Sequence, residues 1–117
     1  PALKNHQMVL MDRYYFSTTA YQGALGLNPD EILKENEAFA PLPDRVYIFK
    51  APLEVCLERI SKSRSSGPDS FEKLEYLKKV QEIFDTFNGP QFRRIDSTNS
   101  QEAVHAQIRN EVCELLP

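Results

Sequence analysis

No stretch of the chain is apolar for the roughly 20 residues that a membrane-spanning helix needs, and nothing in it has the form of a signal peptide. Basic charge is not in excess: 14 Lys and Arg stand against 17 Asp and Glu, a net charge of -3. The electrostatic footprint of a nucleic-acid binder is therefore missing. A small acidic substrate remains possible, because it needs a local cationic pocket and not a basic protein. Cysteine is scarce. Cys56 and Cys113 have no histidine nearby, so a zinc site is not expected; both fall on apolar helical faces and read as buried free thiols. A reducing, cytoplasmic compartment is the default that follows. Glycine is scarce too. None of Gly23, Gly26, Gly67 and Gly89 is followed by lysine, so the Gly-x-x-x-x-Gly-Lys-Ser/Thr loop that wraps nucleotide phosphates is absent. There is no initiator Met, and Pro1-Ala2-Leu3 runs directly toward a strand. A truncated chain is expected, although Met removal or design for expression would also account for this start.

What is present is enough for one domain with one core: 117 residues, 41% hydrophobic and 26% charged, a globular balance. Met8-Val9-Leu10-Met11 and Val46-Tyr47-Ile48-Phe49 are short apolar runs, and Gln91-Phe92-Arg93-Arg94-Ile95, after Asn88-Gly89-Pro90, is a weaker signal; together they predict three strands. Helices with legible ends lie between and after them. Asn28-Pro29-Asp30-Glu31 supplies a cap, a first-turn proline and an early acid. A helix from about Pro52 is expected to bury Leu53, Cys56, Leu57 and Ile60. Asp69-Ser70-Phe71-Glu72 reads as a capping box opening a helix with Phe71, Leu74, Leu77, Val80, Phe84 and Phe87 on one side; Asn88-Gly89-Pro90 stops it. The last helix opens near Asn99 to Glu102 and is expected to bury Val104, Ile108, Val112 and Leu115. Strands alternating with helices predict an α/β fold with a parallel sheet. The polar stretch Ser61 to Asp69 reads as a mobile loop.

Ligands of open parallel sheets bind beyond the carboxyl ends of the strands. The residues after the first predicted strand are Asp12-Arg13-Tyr14-Tyr15-Phe16-Ser17-Thr18-Thr19-Ala20-Tyr21-Gln22-Gly23. An Asp after four apolar residues suits a carboxylate facing hydrated Mg2+, and equally a turn or cap. The Arg13 guanidinium is suited to clamping a phosphate bidentately, or to a salt bridge with Asp12 or another neighbour. On a helix, positions 18, 21 and 22 share a face. Together with Ser17 they offer hydroxyl, phenol and amide groups to a base and sugar; the alternative is an ordinary polar helix surface capped by Ser17. Arg59, Lys62 and Arg64 gather near a helix end, where cations also complement the helix dipole. His6 and His105 have no partners that suggest catalysis and read as surface residues, while Tyr14, Tyr15 and Phe16 read as core or pocket wall.

The string DRYYFSTTAYQG resembles the acceptor-site motif of thymidylate kinases. NEAFAPLPD, APLEVCLERI, FEKLEYLKKVQEIF and IDSTNSQEAVHAQI resemble later segments of the same family, so the likeness covers nearly the whole chain. It implies a P-loop NTPase-like three-layer fold, a parallel sheet flanked by helices, truncated so that the P-loop strand is absent. Residues 1–117 would be the C-terminal portion of a single domain, with a lid at about 61–72. The implied reaction is transfer of the ATP γ-phosphate to dTMP, with Mg2+, giving dTDP. Arg13 would hold the dTMP phosphate and help stabilise the transferring group, and Asp12 would position Mg2+ through water. Ser17, Thr18 and Gln22 would bind the nucleoside, with Thr18 and Gln22 on thymine, and Tyr21 would pack on the deoxyribose and disfavour a 2′-hydroxyl. Arg59 and the loop Asp96-Ser97-Thr98 would flank the adenine of ATP, and Arg64 would be the lid cation near the transferred phosphate. Ser70 stands where many members carry an Arg, which sets the lid apart from the common pattern. A homodimer is implied by resemblance alone.

In the resembled family the phosphate-wrapping loop follows a central strand lying between the strands that end at Asp12 and Lys50. Its absence implies two unpaired strand edges, hence a chain that is poorly stable or rearranged, and inactive as a kinase. The rival readings are a related deoxynucleoside kinase and a non-catalytic nucleotide-binding fragment descended from such an enzyme.

Overall fold

The computed structural model describes residues 4, 8–63 and 70–116, the side chains of 60–63 and 70–73 excepted. Helix α1 spans Tyr15–Ala24 and α2 spans Pro29–Glu37; β1, Val46–Lys50, follows. Next come α3 (Leu53–Ser63), α4 (Ser70–Thr86), β2 (Phe92–Asp96) and α5 (Gln101–Leu115). The strands β1 and β2 run parallel, with Val46 opposite Phe92 and Lys50 opposite Asp96.

The local signals act where they were expected. The Asn28 side chain accepts from the Asp30 and Glu31 amides at 3.0 and 3.4 Å, and Pro29 occupies the first turn, so α2 starts where its orphan N–H groups find an oxygen. Ser100 caps α5 by accepting from the Ala103 amide at 3.1 Å. Helix α4 ends at Thr86, before Asn88-Gly89-Pro90. Its last carbonyls are taken up by the Arg94 guanidinium, which reaches Phe84 O at 3.1 Å and Phe87 O at 2.6 Å. A cation at a helix C-terminus satisfies acceptors and complements the dipole.

The core lies between α1, α4 and the inner face of the strand pair. Tyr15, Phe16, Ile48, Phe87 and Phe92 form one cluster; Ala20, Ala24 and Val80 form a second along the α1–α4 contact. Phe16 sits edge-on to Phe87 and Phe92, at centroid distances of 5.3 and 5.1 Å. Gly23 permits the close approach of α1: a Cβ there would lie 2.8 Å from Ile83 Cδ1 and 2.9 Å from Pro29 Cγ.

Four expectations are corrected. The sheet has two strands among the described residues, not three. Met8 to Met11 form no strand; Leu10 is 80% exposed and Met11 65%. An apolar run becomes a strand only when a neighbour takes its backbone groups, and no described strand lies beside this one. Helix α5 exists but buries none of its residues: Val104, Ile108 and Val112 are half-buried and Leu115 is exposed. Its periodicity marks an apolar face, and no described element packs closely over that face. The thiols are not buried either: Cys56 is half-buried and Cys113 exposed, the latter because it rides on α5. On α3, Leu53 and Leu57 are likewise half-buried. Of the expected lid, 61–63 and 70–72 belong to the ends of α3 and α4 rather than to a loop, while 64–69, with Arg64 and Asp69, as well as His6 and the Lys62 side chain, lie outside the described residues; His105 is exposed as expected.

Candidate functional site

Helix α1 divides its side chains cleanly. Tyr15, Phe16, Thr19, Ala20 and Ala24 turn inward, and the Thr19 hydroxyl donates to Tyr15 O at 2.9 Å rather than entering the core unpaired. Ser17, Thr18, Tyr21 and Gln22 are left on the outer side. They line one open cleft with Arg13 and Tyr14, about 520 Å3 in volume. The 3.6-residue period places these polar groups together on one face.

The cleft begins at a backbone irregularity. Arg13 has φ 66°, the one positive value at a non-glycine residue among those described. This left-handed turn redirects the chain into α1. Tyr14 then occupies the N-cap position in extended conformation without a side-chain cap, and its hydroxyl donates to Pro41 O at 2.9 Å. Ser17 is therefore not the cap: it lies inside the first turn, on the cleft wall. The Arg13 guanidinium carbon stands 5.4 Å from the centroid of the Tyr21 ring, a cation–π geometry. Tyr21 is held from behind by Tyr76 of α4, whose hydroxyl donates to Tyr21 O at 3.3 Å. Asp12 is exposed and does not line the cleft.

A second group forms at the carboxyl ends of the two strands. The Ser97 amide and hydroxyl both donate to Lys50 O, at 2.8 and 2.9 Å. Arg59 of α3 donates to Ser97 O at 2.8 Å, and Lys50 pairs with Asp85 at 2.6 Å. Asp96 accepts from the Thr98 hydroxyl and amide. The Thr98 side chain, then its amide, holds the Asp96 carboxyl below its ordinary pKa. The stabilising effect of this turn is thus present above the ordinary aspartate range and fades as pH falls through the lowered value. Thr98→Val is expected to move the Asp96 pKa upward in an NMR pH titration; an unmoved value would show that the hydroxyl is not the cause.

Elsewhere, burial raises the pKa of the Tyr15 phenol, with smaller contributions from Glu37 and Tyr14. Among the described residues no group of three or more His, Cys, Asp or Glu gathers to hold a metal. No helix among them is long and apolar enough to cross a membrane.

The family model for thymidylate kinase matches residues 1–108. The chain belongs to the thymidylate kinase family. A thymidylate kinase of Desulfotalea psychrophila is 43% identical over 116 residues, 99% of this chain and 57% of that protein. One from Akkermansia muciniphila is 39% identical over 117 residues, all of this chain and 56% of that protein. A probable thymidylate kinase of Archaeoglobus fulgidus is 38% identical over 116 residues, 99% and 58% of the respective chains. The chain thus spans a little over half the length of these thymidylate kinases. Within it, the structure gathers Arg13, Ser17, Thr18, Tyr21 and Gln22 in one cleft and brings Arg59 to Ser97, but leaves Asp12 apart. Tyr76 and Gly23 were not singled out as site residues from the sequence. The first reads as one of several aromatics on α4; the second carries a signal only in the closeness of its neighbours.

Proposed function

We propose that this chain supplies the acceptor side of an ATP:dTMP phosphotransferase that yields dTDP. The observation that carries the reading is the cleft itself: one guanidinium, two hydroxyls, two phenols and an amide line a single open cleft along α1 and the turn before it. Arg13 offers two parallel N–H groups to the 5′-phosphate of dTMP. Thr18 and Gln22 meet the edge of thymine, Ser17 adds a hydroxyl, and the Tyr21 ring lies against the deoxyribose where a 2′-hydroxyl would be crowded. Reaction then requires alignment and charge neutralisation rather than covalent catalysis.

Asp12 suits Mg2+ held through water, since hydrated Mg2+ needs one or two carboxylates and takes its remaining ligands from phosphates and water. When bound, the ion neutralises charge on the phosphates. The exposed Asp12 side chain fits that outer role and not a dedicated protein cage. Arg59 and Ser97 form the candidate adenine edge, and a lid at about 61–72 would bring Arg64 to the transferred phosphate. The complete fold is a P-loop NTPase sheet flanked by helices, in which residues 1–117 form the C-terminal portion of one domain. The Gly-Lys loop, absent from these residues, comes from another segment. The chain alone is inactive as a kinase and poorly stable, consistent with the exposure of Leu10, Met11 and Phe49. A cytoplasmic homodimer completes the reading.

Calorimetric titration with dTMP, with UMP as control and circular dichroism to confirm folding, tests it. Selective dTMP binding is the expected result; a folded chain that ignores dTMP would sink the acceptor-site assignment. The absent Gly-Lys loop also favours a second reading, a non-catalytic nucleotide-binding fragment. Joining the chain to a family segment carrying that loop separates the two, because only the kinase part would then phosphorylate dTMP. A related deoxynucleoside kinase would phosphorylate thymidine instead.

A further inference from the structure

We infer that Tyr76 is a positioning residue that sets sugar selectivity at the cleft, an inference that rests on the acceptor-site reading above. The argument starts at the C-terminal end of α1. The last four carbonyls of a helix lack the amide partner four residues on. Here the final turn tightens: the Leu25 amide donates to Gln22 O, three residues back, at 3.1 Å, and the Gly26 amide to Gly23 O at 3.0 Å. The Tyr21 carbonyl takes the Tyr76 hydroxyl instead, at 3.3 Å. The Tyr76 ring also lies beside the Tyr21 ring, centroids 6.2 Å apart and planes inclined at 45°.

One residue of α4 therefore holds both the backbone and the ring of Tyr21. The same ring carries the Arg13 guanidinium over it, 5.4 Å from its centroid. The line Tyr76–Tyr21–Arg13 fixes the phenol that meets the sugar relative to the cation that meets the phosphate. A shift of the final α1 turn moves Tyr21 and Gln22 together, because both belong to it. Tyr76 lies 55 residues along the chain from Tyr21, so this support depends on the packing of α4 against α1. Loss of the hydroxyl leaves the ring contact in place and frees the carbonyl. The Tyr21 ring is then less sharply placed, and discrimination at the 2′ position should suffer along with affinity.

The test compares the chain with its Tyr76→Phe variant by calorimetry, using dTMP and its ribose counterpart, 5-methyluridine monophosphate. The variant is expected to bind dTMP more weakly, by at most about fivefold, the full worth of one ordinary hydrogen bond being the upper limit for a bond already made without ligand, and to bind the ribose analogue no more weakly than before. Equal weakening toward both ligands indicates a merely structural role and overturns the inference, as does unchanged dTMP binding. Failure of the unsubstituted chain to bind dTMP sinks the acceptor-site reading itself, and this inference with it. A ligand-free measurement stands beside these. The Arg13 side-chain protons, shifted by the Tyr21 ring current, should move in the NMR spectrum of Tyr76→Phe; unmoved signals count against the positioning role.

Discussion

Replacing Arg13 by glycine is expected to weaken dTMP binding by at least about 100-fold while leaving the melting temperature nearly unchanged. Two opposed terms set the stability result. A left-handed conformation costs a non-glycine residue about 1–2 kcal/mol, and Arg13 adopts one at φ 66°. Glycine removes that strain but loses roughly 0.5–1 kcal/mol through its greater backbone freedom when unfolded. Arg13 is also exposed, so beyond its contact with the Tyr21 ring, worth about 0.5–1 kcal/mol at an exposed site, little packing is lost with it. Binding is another matter. Each charge-assisted hydrogen bond is worth about 1.5–3 kcal/mol, and a bidentate clamp makes two. Arg13→Lys should fall between, since an ammonium is a point charge without the planar fork. Calorimetry and thermal melting on the same preparations give both numbers. Retained dTMP affinity in the glycine variant would remove Arg13 from the site, and a large fall in melting temperature would make its role structural.

The largest effect on stability belongs to Phe16→Ala, with an expected loss of about 3–5 kcal/mol. The ring is 6% exposed and meets Tyr15, Phe87 and Phe92 at centroid distances between 4.4 and 5.3 Å. It therefore ties α1 to the end of α4 and the start of β2. Ordinary domains have roughly 5–15 kcal/mol in total, and a chain proposed to lie at or below the low end of that range should lose most of its cooperative melt. The cleft should go with it, because Ser17, Thr18, Tyr21 and Gln22 occupy the other side of the helix that Phe16 anchors. Denaturation followed by circular dichroism measures this directly. A loss below about 1 kcal/mol would mean that α1 is not held by this cluster.

The elements most legible in the sequence were those whose causes are local. Asn28 and Pro29 announce α2 because a cap and its amides are neighbours in the chain. Asn88-Gly89-Pro90 marks the end of α4 for the same reason. Of the two paired strands, β1 is visible as an apolar run and β2 only weakly, through Phe92 and Ile95, while the face of α1 that lines the cleft follows from helical period. The misses share a different cause. Met8 to Met11 carry the composition of a strand, but pairing is a property of two segments, and this run is only one of them. Val104, Ile108 and Val112 define an apolar side of α5, yet period does not say what covers it. Tyr76 and the left-handed φ of Arg13 are consequences of tertiary packing, which no spacing in the sequence encodes.

The parallel register has a kinetic consequence. Every bridge between β1 and β2 joins residues far apart in the chain, Val46 to Phe92 at one end and Lys50 to Asp96 at the other, with α3 and α4 between them. Closing so long a loop costs entropy before any strand contact returns it. The strand pair is thus poorly suited to nucleate folding, and so is the α1–α4 seam, where Tyr21 and Tyr76 lie 55 residues apart; the near-neighbour packing of α1 against α2, where Pro29 meets Gly23, is better placed for that step. On this order of events, weakening the β1–β2 ladder would mainly hasten unfolding, whereas weakening the contact of α1 with α2 would slow the climb to the transition state.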